Sequence, residues 1–114
     1  MAAAIFNVKN DGTLNPVVIS ASAVASLDAY DIFNSSRSDD GIVLWFYNKA
    51  APVFGTDTPL FSVAIPPMSA ARRDIAIATT GAAYAAGTAL SYIVTHLSGL
   101  AVKANKITGH LVYG

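Results

Sequence analysis

The chain has no cysteine, no glutamate and no glutamine. Without cysteine there is no disulfide framework, thiol nucleophile, zinc ribbon or iron–sulfur cluster, and stability has to come from burial. Without Glu and Gln, two strong helix formers that normally fill exposed helix faces are missing, so long surface helices are not expected. Charge is scarce too: charged residues make up 12% of the chain, and seven basic residues balance seven acidic ones. A net charge of zero removes the basic footprint of a nucleic-acid or anionic-lipid binder, so neither nucleic acid nor a membrane is expected as a partner.

What the 114 residues do hold is apolar: 54% are hydrophobic, the opposite of the balance that keeps chains disordered. One domain of this length buries roughly two-thirds of the surface its unfolded form exposes. Alanine supplies roughly a fifth of the residues and contributes little burial each, which predicts a thin core or one completed by a neighbouring subunit. A low charge fraction points the same way, because surfaces meant for water usually carry about 25% or more charge.

The first nine residues lack the basic segment and long apolar run of a signal peptide, and export by that route is not expected. Residues 75–102 contain no Asp, Lys or Arg and are long enough to cross a bilayer. Gly81, Gly87, Gly99, His96 and several Ser and Thr lower their hydropathy, and the alternation of Ile75 with Ile77, and of Leu90, Tyr92 and Val94, reads as two strands instead.

Period-two patterning recurs along the chain. Residues 1–15, with the turn signal Asn10-Asp11-Gly12, read as an N-terminal arm or edge strand, and residues 16–114 as a single β domain. Strands are expected at 16–25, 30–34, 42–47, 60–65, 71–79, 89–96 and 106–113, separated by turn residues, with a long loop at 49–59 punctuated by Pro52, Gly55 and Pro59. Residues 42–47 are apolar on both parities, so both faces of that strand must be covered. This spacing predicts an all-β antiparallel sandwich, jelly-roll-like, of about 7–8 strands.

Motifs that carry chemistry are missing. His96 and His110 are the only histidines, and with no Cys or Glu a metal site would have to gather aspartates from distant loops, so no metal is expected. No Gly-x-Ser-x-Gly elbow and no Gly-rich phosphate loop with its Lys is present, so neither a catalytic residue nor a cofactor is expected. Asp39, Asp40 and Asp57 read as solvated loop charges. Trp45 and Tyr47, in the most apolar strand, read first as sandwich core and second as an aromatic binding platform.

The segment Leu44-Trp45-Phe46-Tyr47-Asn48-Lys49-Ala50-Ala51-Pro52-Val53-Phe54-Gly55-Thr56-Asp57-Thr58-Pro59, followed by the apolar stretch 60–65 and Pro66, resembles a pattern of small virion proteins of tailed bacteriophages. The likeness covers about residues 31–113. It implies a non-enzymatic β-sandwich or jelly-roll subunit of the particle. Its first form is a capsid decoration (cement) protein on the capsid exterior, made in the host bacterial cytoplasm, a homotrimer whose partner is the major capsid protein. Neck, tail and baseplate components are alternatives. So is a carbohydrate- or receptor-binding module of the virion, which requires an exposed Trp45. The chain departs from the pattern at Ala70-Ala71-Arg72-Arg73-Asp74 and in the apolar residues 97–105. Ile5, Phe6, Phe54, Leu97 and Leu100 are the expected apolar contacts of such an interface, and Arg37, Arg72 and Arg73 the expected charged ones.

Overall fold

The computed structural model describes residues 2–8, 11–22, 24, 26–35, 41–73, 77–78, 89–102 and 107–113. They form eight strands of four to nine residues and a ninth of two, in two antiparallel sheets. There is no helix among the described residues, and hence none long and apolar enough to cross a membrane.

Strand pairing is nested. β1 (Ala2–Asn7) pairs with β9 (Ile107–Tyr113), and β2 (Val17–Ser20) pairs with β8 (Leu90–His96). Further in, β3 (Ser26–Asn34) pairs with β6 (Ser69–Arg73) and with the short β7 (Ile77–Ala78), and β4 (Ile42–Tyr47) with β5 (Phe61–Ile65). Two further pairings, β3 with β9 and β4 with β8, join these ribbons into one sheet of order β1-β9-β3-β6 and another of order β2-β8-β4-β5. The first is called sheet A here and the second sheet B. The N-terminal segment is therefore an edge strand of sheet A, in register with β9 from Ala2 opposite Tyr113 to Asn7 opposite Thr108.

The core lies between the sheets. Ile42, Leu44 and Phe46 of β4 and Leu90, Tyr92 and Val94 of β8 meet Leu27 and Ile32 of β3 and Ile107 and Leu111 of β9; each strand gives one parity, as alternation requires, except β3, where a register shift between Leu27 and Ala29 turns both Leu27 and Ile32 inward. The rings run in series across the gap: Tyr92 to Phe46 at 6.4 Å, Phe46 stacked on Phe61 at 4.9 Å, and Phe61 on Tyr30 of the opposite sheet at 6.4 Å. Buried Asn34 adds a polar tie, its Nδ2 donating to the carbonyl oxygen of Ile65 at 3.4 Å.

The expectation of a thin, alanine-poor-packing core is corrected. The cluster is built of Val, Leu, Ile, Phe and Tyr, and of the alanines whose side chains are described only Ala89 is buried. Alanine instead coats the outside, at Ala3, Ala21, Ala50, Ala51, Ala64 and Ala70, which is how so few charges suffice.

Two strand limits also differ from the sequence reading. The strand expected at 16–25 stops at Ser20, where the Ser20 hydroxyl donates to the carbonyl of Ser22 at 3.0 Å and accepts from the Ser22 N–H at 3.3 Å. A serine that bonds its own neighbours gives the backbone an alternative to the ladder. The strand expected at 71–79 begins earlier, at Ser69; β6 and β7 both lie along β3, and residues 74–76 and 79 lie outside the described residues.

Candidate interaction surfaces

The two sheets treat their outer faces differently. On sheet B the outward parity of β4 is Val43, Trp45 and Tyr47, opposite Thr95, Ile93 and Ser91 of β8. Of these six only Trp45 is part exposed, and the rest are buried. Part of the cover is the chain's own 48–60 loop. Ser91 donates through Oγ to the Lys49 carbonyl at 2.6 Å, Leu60 N–H closes the loop onto the Phe46 carbonyl at 2.7 Å, and Phe54 meets Trp45 edge to face at 5.4 Å. Trp45 and Tyr47 therefore lie outside the inter-sheet core, which corrects the first reading of them: the core takes the other parity of β4. The indole is oriented by Nε1–H donating to Thr95 Oγ1 at 2.9 Å, and that hydroxyl in turn donates to the His96 carbonyl at 2.8 Å. Thr95→Val keeps the shape and strands the indole N–H, so it should cost about 1–3 kcal/mol in urea unfolding and shift the emission of the only tryptophan.

Lys49 and Asp57 pin the loop's base. Asp57 Oδ1 accepts from Lys49 Nζ at 2.8 Å and Oδ2 accepts from the Val53 N–H at 2.7 Å. The N–H groups of Thr56 and Asp57 both return to the Val53 carbonyl, and Gly55 takes the left-handed φ of 84° that this turn requires. The Lys49 and Val53 hydrogen bonds hold the Asp57 carboxyl below the usual carboxylate range, while burial, and then the Asp57 charge, push the Tyr47 hydroxyl up. A depressed carboxyl stabilises the loop above its unfolded pKa and loses that contribution as pH falls through the folded one. Trp45 emission should thus be flat from neutral pH down to about pH 4 and change below it. Asp57→Asn should remove that acid step.

Sheet A is open. Register places Ile5, His110, Asp31 and Arg72 in one row across β1, β9, β3 and β6, with Asn7, Thr108, Phe33 and Ala70 in the row beside it. All eight are exposed, Ile5 at 85% and Phe33 at 42%. Two shallow hollows of about 260 and 250 Å³ share Asp31 and His110. Tyr30, Arg72 and Val112 border one, and Ile5, Phe33 and Thr108 the other. The row therefore carries His110 and Asp31 on the two middle strands, with Arg72 on β6, Ile5 on the edge strand and Phe33 in the row beside them.

The third feature is the 96–101 turn. His96 N–H bonds the Leu100 carbonyl at 2.8 Å, Gly99 N–H bonds the His96 carbonyl at 3.0 Å with φ of 88°, and Thr95 bridges Ala101. This tight turn lifts Leu97 and Leu100 to 67% and 69% exposure. Leu97 also walls an apolar cleft of about 200 Å³ with Gly41, Ile65, Pro66 and Pro67.

Of the expected contacts, Ile5 and Arg72 meet in one row, and Leu97 and Leu100 share a turn on a different part of the molecule. Phe54 is part buried, its ring edge to face with Trp45. Phe6 and Arg73 are placed by backbone register only, opposite Gly109 and Tyr30, and Arg37 lies outside the described residues. Asp31, Phe33 and His110 carry no mark in the sequence beyond the parity they share within their strands. Asp57, a plain loop charge by position, turns out to be the loop's anchor. No cluster of three or more metal-ligating side chains exists among the described residues. The fold and these surfaces define an antiparallel β-sandwich with one sheet covered in part by its own loop and one open sheet face. No protein-family model, curated protein or solved structure matches the chain.

Proposed function

We propose that this protein is a non-enzymatic structural subunit of a tailed-phage particle, a capsid decoration protein that lays the open face of sheet A on the major capsid protein and reinforces the head lattice. The observation that carries the reading is the exposed row of Ile5, His110, Asp31 and Arg72 beside Phe33, on a face open across four strands, whereas sheet B is covered over β4 and β8 and exposed at Val18, Ser62 and Ala64. Nested pairing supports it. Pairing of first strand with last, second with second-last, and so on to the central β4–β5 hairpin is what a jelly-roll reading calls for, an architecture used by viral shells. The resemblance around residues 44–66 points to the same class.

In this role the mechanism is mass action: a subunit that binds only the assembled lattice stabilises it by its binding free energy at every repeated site. The Leu97 and Leu100 turn provides a separate contact for self-association as a homotrimer. Quantitative mass spectrometry of purified particles tests the reading. A ratio near one copy per major capsid protein supports decoration. A handful of copies per particle moves the protein to the neck, tail or baseplate, and absence from particles overturns the virion role.

A further inference from the structure

A groove of about 320 Å³ runs between the outer side of β4 and the loop, lined by Trp45, Tyr47, Phe54, Gly55, Thr56, Asp57, Thr58 and Pro59. Its volume is at the lower end of small-molecule sites, roughly 300–1,000 Å³. Its composition is uneven in a telling way. One side is aromatic, and the indole of Trp45 is held at a fixed angle by Thr95 and braced by Phe54. The other side is a carboxylate held at both oxygens, one by Lys49 and one by the Val53 N–H. A carboxylate oxygen accepts more than one hydrogen bond, so both oxygens keep capacity toward the groove. At the rim stand the exposed Thr56 and Thr58.

We infer that this groove binds a neutral saccharide, with the C–H face of a sugar ring against Trp45 and ring hydroxyls donating to Asp57. Three properties select that chemistry. A flat apolar surface next to fixed acceptors matches a pyranose, which is apolar on its faces and polar around its edge. The Lys49–Asp57 pair leaves no net charge at the site to attract an ion. Pre-organisation is built in, since neither the ring nor the carboxylate has to be ordered when a ligand arrives. This inference stands apart from the virion reading and uses none of the residues on sheet A.

Trp45 is the chain's only tryptophan, so its emission reports the groove directly. The full chain is titrated with glucose, galactose, N-acetylglucosamine and their short oligomers, and with sodium phosphate as an anionic comparison. The expected result is a saturable emission change with one of the neutral sugars, at a Kd on the order of millimolar. Asp57→Asn should weaken it at least tenfold, and Thr58→Ala should change it less. Asparagine retains an acceptor for the Val53 N–H, and Lys49→Met removes the ion pair with the carboxylate in place, so two variants separate ligand contact from loop anchoring. If no sugar produces a saturable change up to about 100 mM while the protein is folded, or if phosphate alone does, the inference is overturned. Asp57→Asn should leave the copy number in particles unchanged, which keeps failure of this inference distinct from failure of the decoration role.

Discussion

Phe46→Ala should destabilise the protein by about 3–5 kcal/mol, the largest effect of any single substitution named here. Phe46 is fully buried on β4, stacked on Phe61 and beside Tyr92, and Phe61 carries the stack to Tyr30 on the opposite sheet. Removing the ring deletes the second member of that series and leaves a cavity between two sheets that are each tied by their own ladders, so the walls cannot close on it. Against a typical total of about 5–15 kcal/mol, the loss takes the domain close to unfolding. Urea unfolding measures it. Phe46→Leu, which keeps most of the volume, should lose less than half as much, and a loss below about 1 kcal/mol for Phe46→Ala would show that the sheets are held elsewhere.

The second large effect is on association. Ile5→Asp combined with Phe33→Ser should reduce binding to particles at least thirtyfold, the consequence of losing about 2 kcal/mol at two apolar contacts of the docking face. Stability should change by no more than about 0.5 kcal/mol, since both side chains point away from the core and are exposed at 85% and 42%. Ile5 sits on the edge strand and Phe33 two strands away, with β9 between them, so the pair samples the width of the face. Purified particles lacking the protein are incubated with wild-type and variant chains and the bound copies counted. Full occupancy by the variant would remove sheet A as the docking face. Leu97→Ser with Leu100→Ser, measured in parallel, separates lattice docking from contacts made by the 96–101 turn.

Strand positions were legible because alternation is a local property. The apolar run at 42–47 and the alternating stretch at 89–96 correspond to β4 and β8, which face each other in the centre of sheet B. Residues 30–34 captured the C-terminal half of β3 but not its start at Ser26. That extension is decided by pairing with β9 and β7. The misjudged residues share one cause. Trp45 and Tyr47 were recognisable as apolar, yet burial beneath a loop and burial between sheets look alike in a sequence, and only the parity chosen by the core tells them apart.

Composition and patterning by themselves determined the class of this protein: no disulfides, no net charge, no helix-rich design, and an antiparallel sandwich, because absences and period-two alternation act residue by residue. Three things were left to the tertiary structure. The nested pairing of first strand with last depends on contacts across more than a hundred residues, as between Ala2 and Tyr113. The assembly of Ile5, His110, Asp31 and Arg72 into one row depends on the register of four strands. The covering of Trp45 and Tyr47 depends on a loop folding back on its own sheet, as where Ser91 bonds the Lys49 carbonyl. Each joins residues distant in sequence or in strand, and chain geometry, not local preference, sets which of them meet.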